Sequence, residues 1–124
     1  MPRYELMIRT DFAAAHQLRG YPGDCARLHG HNWRVELYVE CSELDELGMG
    51  IDYKVMKREL KAALSGWDHY NLNDVPPFDA INPSSENVAR VLFDEMSRRL
   101  DDGRLRVSRI VIGETCTASV TYWP

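Results

Sequence analysis

The residues best suited to chemistry lie in one short run, Cys25-Ala26-Arg27-Leu28-His29-Gly30-His31. Two histidines two positions apart at the start of a strand project to the same face of a sheet, so both imidazoles can reach one ion. Gly30 between them would let the backbone bend without a Cβ clash. A third histidine, His16, ends the preceding run of alternating apolar residues. Three neutral nitrogen ligands with one position left open are the usual way to hold catalytic Zn²⁺, whereas closed structural sites recruit cysteine. Cys25 stands before this pair, beside the proposed ligand set rather than within it. A thiol reacts as its thiolate, a form favoured by a neighbouring cation such as the metal or Arg27. Asp68-His69 is a second acid/base candidate, because a carboxylate fixes the tautomer of an adjacent imidazole and raises its basicity. Each piece alone has a plainer account: a solvated turn for His29 and His31, a buried hydrogen-bonded ring for His16, an inert loop thiol for Cys25. The combination points to a metal site with an acid/base apparatus beside it.

The elements that must position these residues can be traced from periodicity. From Tyr4 to His16, Leu6, Ile8, Phe12, Ala14 and His16 share one parity, which predicts a strand with His16 on its apolar face. From His31 to Cys41, Trp33, Val35, Leu37 and Val39 alternate with Asn32, Arg34, Glu36, Tyr38 and Glu40, a second strand. Antiparallel pairing would bring His16 opposite the start of the second strand. The Gln17–Leu28 connection, marked by Gly20, Pro22 and Gly23, is long for a tight hairpin, which suits a functional loop. Asp52 is a suitable N-cap for a helix to about Leu64, with Val55, Met56, Leu60, Ala63 and Leu64 as its apolar stripe and Gly66 at a left-handed C-cap. Trp67 to Pro83 reads as irregular. Ser84 or Ser85 caps a second helix to about Leu100, with Glu86 favourable to its dipole. After the Asp101-Asp102-Gly103 turn, Arg104–Gly113 and Cys116–Trp123 read as strands, and Glu114 sits in the bend between them. The order strand, strand, helix, helix, strand, strand predicts an α+β fold, a four-stranded antiparallel sheet with two helices on one face. Its bare edges favour oligomerisation.

The bulk properties narrow the class. The 124 residues suit one domain, 1–124, and hydrophobic and charged contents of 44% and 27% suit a soluble globular chain. Fifteen basic against nineteen acidic residues, with no basic block, argue against a nucleic-acid or membrane partner. Three irregularly spaced cysteines do not form a disulfide framework. With no apolar leader or membrane-length stretch, a cytoplasmic location is expected. Arg27, Lys54 and Arg58 are candidate contacts for a phosphorylated substrate.

Taken in order, Phe12-Ala13-Ala14-Ala15-His16, Cys25-x-x-x-His29-Gly30-His31, Asp68-His69, Pro83-Ser84-Ser85-Glu86-Asn87 and Glu114-Thr115-Cys116-Thr117 resemble the 6-pyruvoyltetrahydropterin synthase family. The three-residue gap between Cys25 and His29 is most similar to the bacterial 6-carboxy-5,6,7,8-tetrahydropterin synthase branch, although Tyr70 and Asn71 stand where that branch often has another histidine. The resemblance implies the tunnelling fold, oligomerising into a barrel as a homohexamer, and zinc held by His16, His29 and His31. It assigns Cys25 to proton abstraction, Asp68 and His69 to a relay with that thiol, and Glu114 with Thr115 to the amino-pyrimidinone edge of a pterin. It further implies a lyase in queuosine biosynthesis that converts 7,8-dihydroneopterin triphosphate to 6-carboxy-5,6,7,8-tetrahydropterin, acetaldehyde and triphosphate. The alternatives are an enzyme that stops at 6-pyruvoyltetrahydropterin after triphosphate elimination, and a non-catalytic zinc-containing pterin-binding module.

Overall fold

In a computed structural model, which describes residues 2–124, the two alternating runs form a long antiparallel hairpin. β1 (Tyr4–His16) pairs with β2 (His29–Cys41) from Tyr4 opposite Cys41 to His16 opposite His29. The register is dictated by the apolar faces, since a one-residue slip would turn Ile8, Phe12, Trp33, Val35, Leu37 and Val39 into water. All six are buried. On the far side of β2 lies β4 (Arg106–Gly113), with a register shift between Tyr38 and Val39, and β5 (Ser119–Tyr122) forms that edge.

The sheet has five strands rather than the expected four. A two-residue strand, β3 (Tyr70–Asn71), pairs parallel with Ala14 and Ala15 of β1, giving the order β3-β1-β2-β4-β5. Two residues carry no readable period, so this strand was hidden in the irregular Trp67–Pro83 segment. β5 is also shorter than the expected Cys116–Trp123 strand, because residues 114–117 form a bend.

The helices α1 (Tyr53–Leu64) and α2 (Ser85–Leu100) follow the expected caps. Asp52 Oδ1 accepts from Lys54 N at 2.8 Å, and the Ser84 side chain accepts from Asn87 N at 3.2 Å. Met56, Leu60 and Leu64 of α1, and Val88, Leu92, Met96 and Leu100 of α2, are buried with the apolar sheet face. Gly66 departs from the expectation: α1 ends at right-handed Ser65, whose hydroxyl donates to Ala62 O at 2.7 Å. The left-handed residue of this segment is His69, at φ 68°. Gly103 does adopt a positive φ, 91°, while Asp102 Oδ1 accepts from Arg104 N and Leu105 N to close the turn. Among the described residues no helix is long and apolar enough to cross a membrane.

Candidate metal centre and active site

The loop end of the β1–β2 hairpin gathers the three histidines on the helix-covered face. His16 and His29 are cross-strand partners, and His31 faces the small Ala14. Their ring centroids lie 4.5 Å (His16–His29), 4.9 Å (His29–His31) and 5.2 Å (His16–His31) apart. Trp33 closes the site from below, 4.7 Å from the His16 ring, held by its indole N–H donating to Ala14 O at 3.1 Å. Gly30 lies within the regular register of β2, and a Cβ there would meet only Ala14 O at 3.9 Å. The expected bend is therefore absent: strand alternation alone aims the two rings.

Hydrogen bonding settles which nitrogens are available. His16 Nδ1 lies 2.7 Å from Pro83 O, and His29 Nδ1 lies 2.7 Å from Arg27 O. A carbonyl oxygen only accepts, so each Nδ1 carries the proton and leaves the opposite nitrogen of the neutral ring with a free lone pair. His16 Nε2 and His31 Nε2 are buried without a hydrogen-bond partner. One ligand atom from each histidine falls within 4.8 Å of the other two, so the three residues could hold a metal ion. Burial is the main cause that holds His16 and His31 below the usual histidine range, favouring the neutral, ligating form. The donor set and its orphaned nitrogens fit a metal.

Glu114 borders this centre from the bend after β4. Its Oε2 lies 3.6 Å from His31 Nε2, and Ser85 Oγ at the first turn of α2 donates to its Oε1. Ser85 was legible only as a capping residue. The bond across to Glu114 joins segments 29 positions apart, and the serine pair of the Pro83–Asn87 motif was its only local signal. Thr115 sits in the exposed bend, where its Oγ accepts from Thr117 N at 3.3 Å. Arg34 lies over Gly113, where a Cβ would meet its Nη2 at 2.7 Å, so the glycine admits the guanidinium beside this bend.

Cys25 is an exposed free thiol in a single 3-10 turn, Asp24–Ala26, and is not one of the converging ligands. Asp68 and His69 do meet each other: Asp68 Oδ1 lies 3.0 Å from His69 Nδ1 and also accepts from Ala13 N at 3.0 Å. His69 N donates to Ala13 O, which locks the left-handed residue against β1 and leaves its ring exposed. His69 and His31 line one open hollow of about 520 Å³, together with Ala13, Ala15 and Gly30. Among the described residues, no hydrogen bond joins Cys25 to Asp68 or His69. A second hollow, about 540 Å³ between β1 and α1, has Asp68 on its wall but none of the histidines.

The fold and the histidine cluster define a metal-capable α+β protein with a carboxylate anchored beside the cluster. The chain belongs to the 6-pyruvoyl tetrahydropterin synthase family, whose model matches residues 5–124. This is a family of lyase-type enzymes acting on small-molecule pterins. The chain is similar to the 6-carboxy-5,6,7,8-tetrahydropterin synthase of Synechocystis sp., 35% identical over 117 residues, covering 90% of this chain and 87% of the relative. It is also similar to the 6-pyruvoyl tetrahydrobiopterin synthase of Dictyostelium discoideum, 32% identical over 115 residues, covering 82% and 85%. The structure of Caenorhabditis elegans 6-pyruvoyl tetrahydropterin synthase superposes with a TM-score of 0.88 at 28% identity, covering 100% of this chain and 97% of that one.

Proposed function

We propose that this chain is a single-domain, zinc-dependent carbon–carbon lyase of queuosine (7-deazaguanine) biosynthesis. It would convert 7,8-dihydroneopterin triphosphate to 6-carboxy-5,6,7,8-tetrahydropterin, acetaldehyde and triphosphate. The observation that carries this reading is the set of buried, unpartnered imidazole nitrogens beside an anchored carboxylate. His16, His29 and His31 would hold Zn²⁺. When bound, the ion would polarise a side-chain oxygen of the substrate and stabilise the negative charge that develops on it.

The remaining roles fall to the chain's own groups. Glu114, oriented by the Ser85 hydroxyl, would accept two N–H bonds from the amino-pyrimidinone edge, with Thr115 at its margin. Cys25, as thiolate, would take a proton from the side chain of the substrate. Asp68 would hold the His69 ring in the tautomer that lets its other nitrogen exchange a proton. After triphosphate leaves, addition of water and cleavage between the first and second side-chain carbons would give the carboxylate and acetaldehyde.

Two unpaired edges support assembly into a homohexamer that closes the sheets into a barrel. β3 covers only Ala14 and Ala15 of β1, and β5 has a neighbour on one side alone. The three free thiols suit a reducing cytoplasm. The similarity to the Dictyostelium relative favours a second reading, elimination of triphosphate that stops at the 6-pyruvoyl product.

Purified zinc-loaded protein given 7,8-dihydroneopterin triphosphate should release acetaldehyde in step with substrate consumption, with the 6-carboxy pterin detected by mass spectrometry. The pyruvoyl compound without acetaldehyde would establish the second reading. Tight pterin binding with no product would make the chain a binding module.

A further inference from the structure

The Gln17–Leu28 loop leaves β1 at His16 and carries Cys25 at its far side. An exposed loop of this length would not hold a thiol in one place by itself. Its stem is held by two asparagine side chains that imitate a strand. Asn73 Oδ1 accepts from Gln17 N at 2.8 Å, and its Nδ2 donates to Gln17 O at 3.0 Å. Two residues further on, Asn82 Oδ1 accepts from Arg19 N at 2.9 Å, and its Nδ2 donates to Arg19 O at 3.0 Å. A primary amide presents the same parallel acceptor and donor as a peptide unit. The spacing of two is the period at which an extended chain repeats its edge groups. The pairing that β3 makes with Ala14 and Ala15 is thus carried onward by side chains, past the point where the backbone ladder ends.

Leu18 lies between the two clamped residues, so its own N–H turns to the opposite side. There it donates to Cys25 O at 2.8 Å. The clamps are themselves anchored in the site. Asn73 N donates to Asn71 Oδ1 at 3.1 Å, in the segment that carries Asp68 and His69. Asn82 O accepts from Asn87 Nδ2 at 2.9 Å, and the next residue, Pro83, supplies the carbonyl that orients His16. One short segment therefore sets both a metal-facing ring and the stem of the thiol loop.

We infer that Asn73 and Asn82 are positioning residues for Cys25, acting through the Gln17 and Arg19 peptides and the Leu18–Cys25 bond. The inference rests on the proposed role of Cys25 as a base. Misplacing a reacting group by about 1 Å costs on the order of 10²-fold in rate. An N73L/N82L double variant removes all four of these backbone bonds, together with the 3.4 Å bond that Arg19 Nη1 donates to Asn82 Oδ1, while Asn73→Asp and Asn82→Asp each keep the acceptor and lose the donor.

The test uses full-length zinc-loaded protein with 7,8-dihydroneopterin triphosphate. For N73L/N82L, kcat should fall about 10–100-fold while KM stays within about threefold and zinc content is unchanged. The aspartate variants, which supply the test if the double variant does not fold, should lose less. Exchange of the Leu18 amide should quicken at least about tenfold in the double variant. In a Cys25→Ala background the asparagine substitutions should leave the residual turnover unchanged, because there is no thiol left to misplace. Equal loss of kcat with and without Cys25 would overturn the inference, as would unchanged kcat and unchanged Leu18 exchange in folded variants. Were the wild type inactive on this substrate, the functional reading would fail, yet Leu18 exchange and the alkylation rate of Cys25 by iodoacetamide would still decide the positioning claim.

Discussion

The two faces of the β1–β2 hairpin are built from alternate residues of the same strands, yet they treat polar groups in opposite ways. On the face away from the helices, most charges are matched. Arg9 pairs with Glu36 at 3.1 Å, Tyr38 Oη donates to Glu36 at 2.7 Å, and Arg109 pairs with Glu5 at 2.9 Å while covering the Tyr38 ring. Arg3 and Arg106 both donate to Glu40. On the helix-covered face, at the loop end of the hairpin, His16 and His31 keep buried nitrogens without a hydrogen-bond partner. A buried polar atom without a partner costs about 1–3 kcal/mol. A chain that pairs its polar groups on one face and leaves orphans on the other keeps the second free to take a ligand. The difference leaves the histidine cluster able to hold a metal ion, while the charge ladder has its bonds made within the chain.

The largest effect should come from breaking the unpaired face. His29→Ala and His31→Ala should abolish stoichiometric zinc, measured by inductively coupled plasma mass spectrometry, and lower turnover by about 10³-fold or more. Full zinc in both folded variants would erase the contrast between the faces. Cys25→Ala sharpens it: zinc and pterin binding should persist while kcat falls about 10²–10³-fold, as expected for loss of a general base. Wild-type turnover would remove the thiol from the reaction.

Glu114→Gln should leave zinc in place and weaken pterin binding by about 1.5–3 kcal/mol in a calorimetric titration, the worth of charged hydrogen bonds. Equal affinity would place the anchor elsewhere. The smallest effect belongs to the paired face. Arg106 first, with Arg3, holds the Glu40 carboxyl below the usual carboxylate range, against the opposing effect of burial. The folded state therefore binds fewer protons than the unfolded one in acid. The pair's stabilisation is present above the unfolded carboxylate value, about 4.3, and is lost as pH falls through the lower folded value. Glu40→Gln should cost about 1 kcal/mol at pH 7 in urea unfolding, because both arginines are largely exposed. That gap should close on acidification with no change in turnover.

Much of this was legible in the residues. Alternation set β1 and β2, their shared parity put His16, His29 and His31 on the apolar face, and Asp52 and the Ser84-Ser85 pair marked where the helices begin, the structure selecting Ser84 as the cap. These are local properties, set by a period of two or by a side chain reaching a nearby amide, and a sequence carries them directly. What only the tertiary structure decided are relations between distant segments. β3 exists because the segment after α1 is drawn against Ala14 and Ala15, not because Tyr70-Asn71 has a strand pattern. Ser85 meets Glu114 because α2 starts where β4 ends. Asn73 and Asn82 reach Gln17 and Arg19 across 56 and 63 positions, and Pro83 O selects the His16 tautomer across 67. Contacts at such separations depend on loop closure and on packing of the whole chain, which leave no period in the sequence.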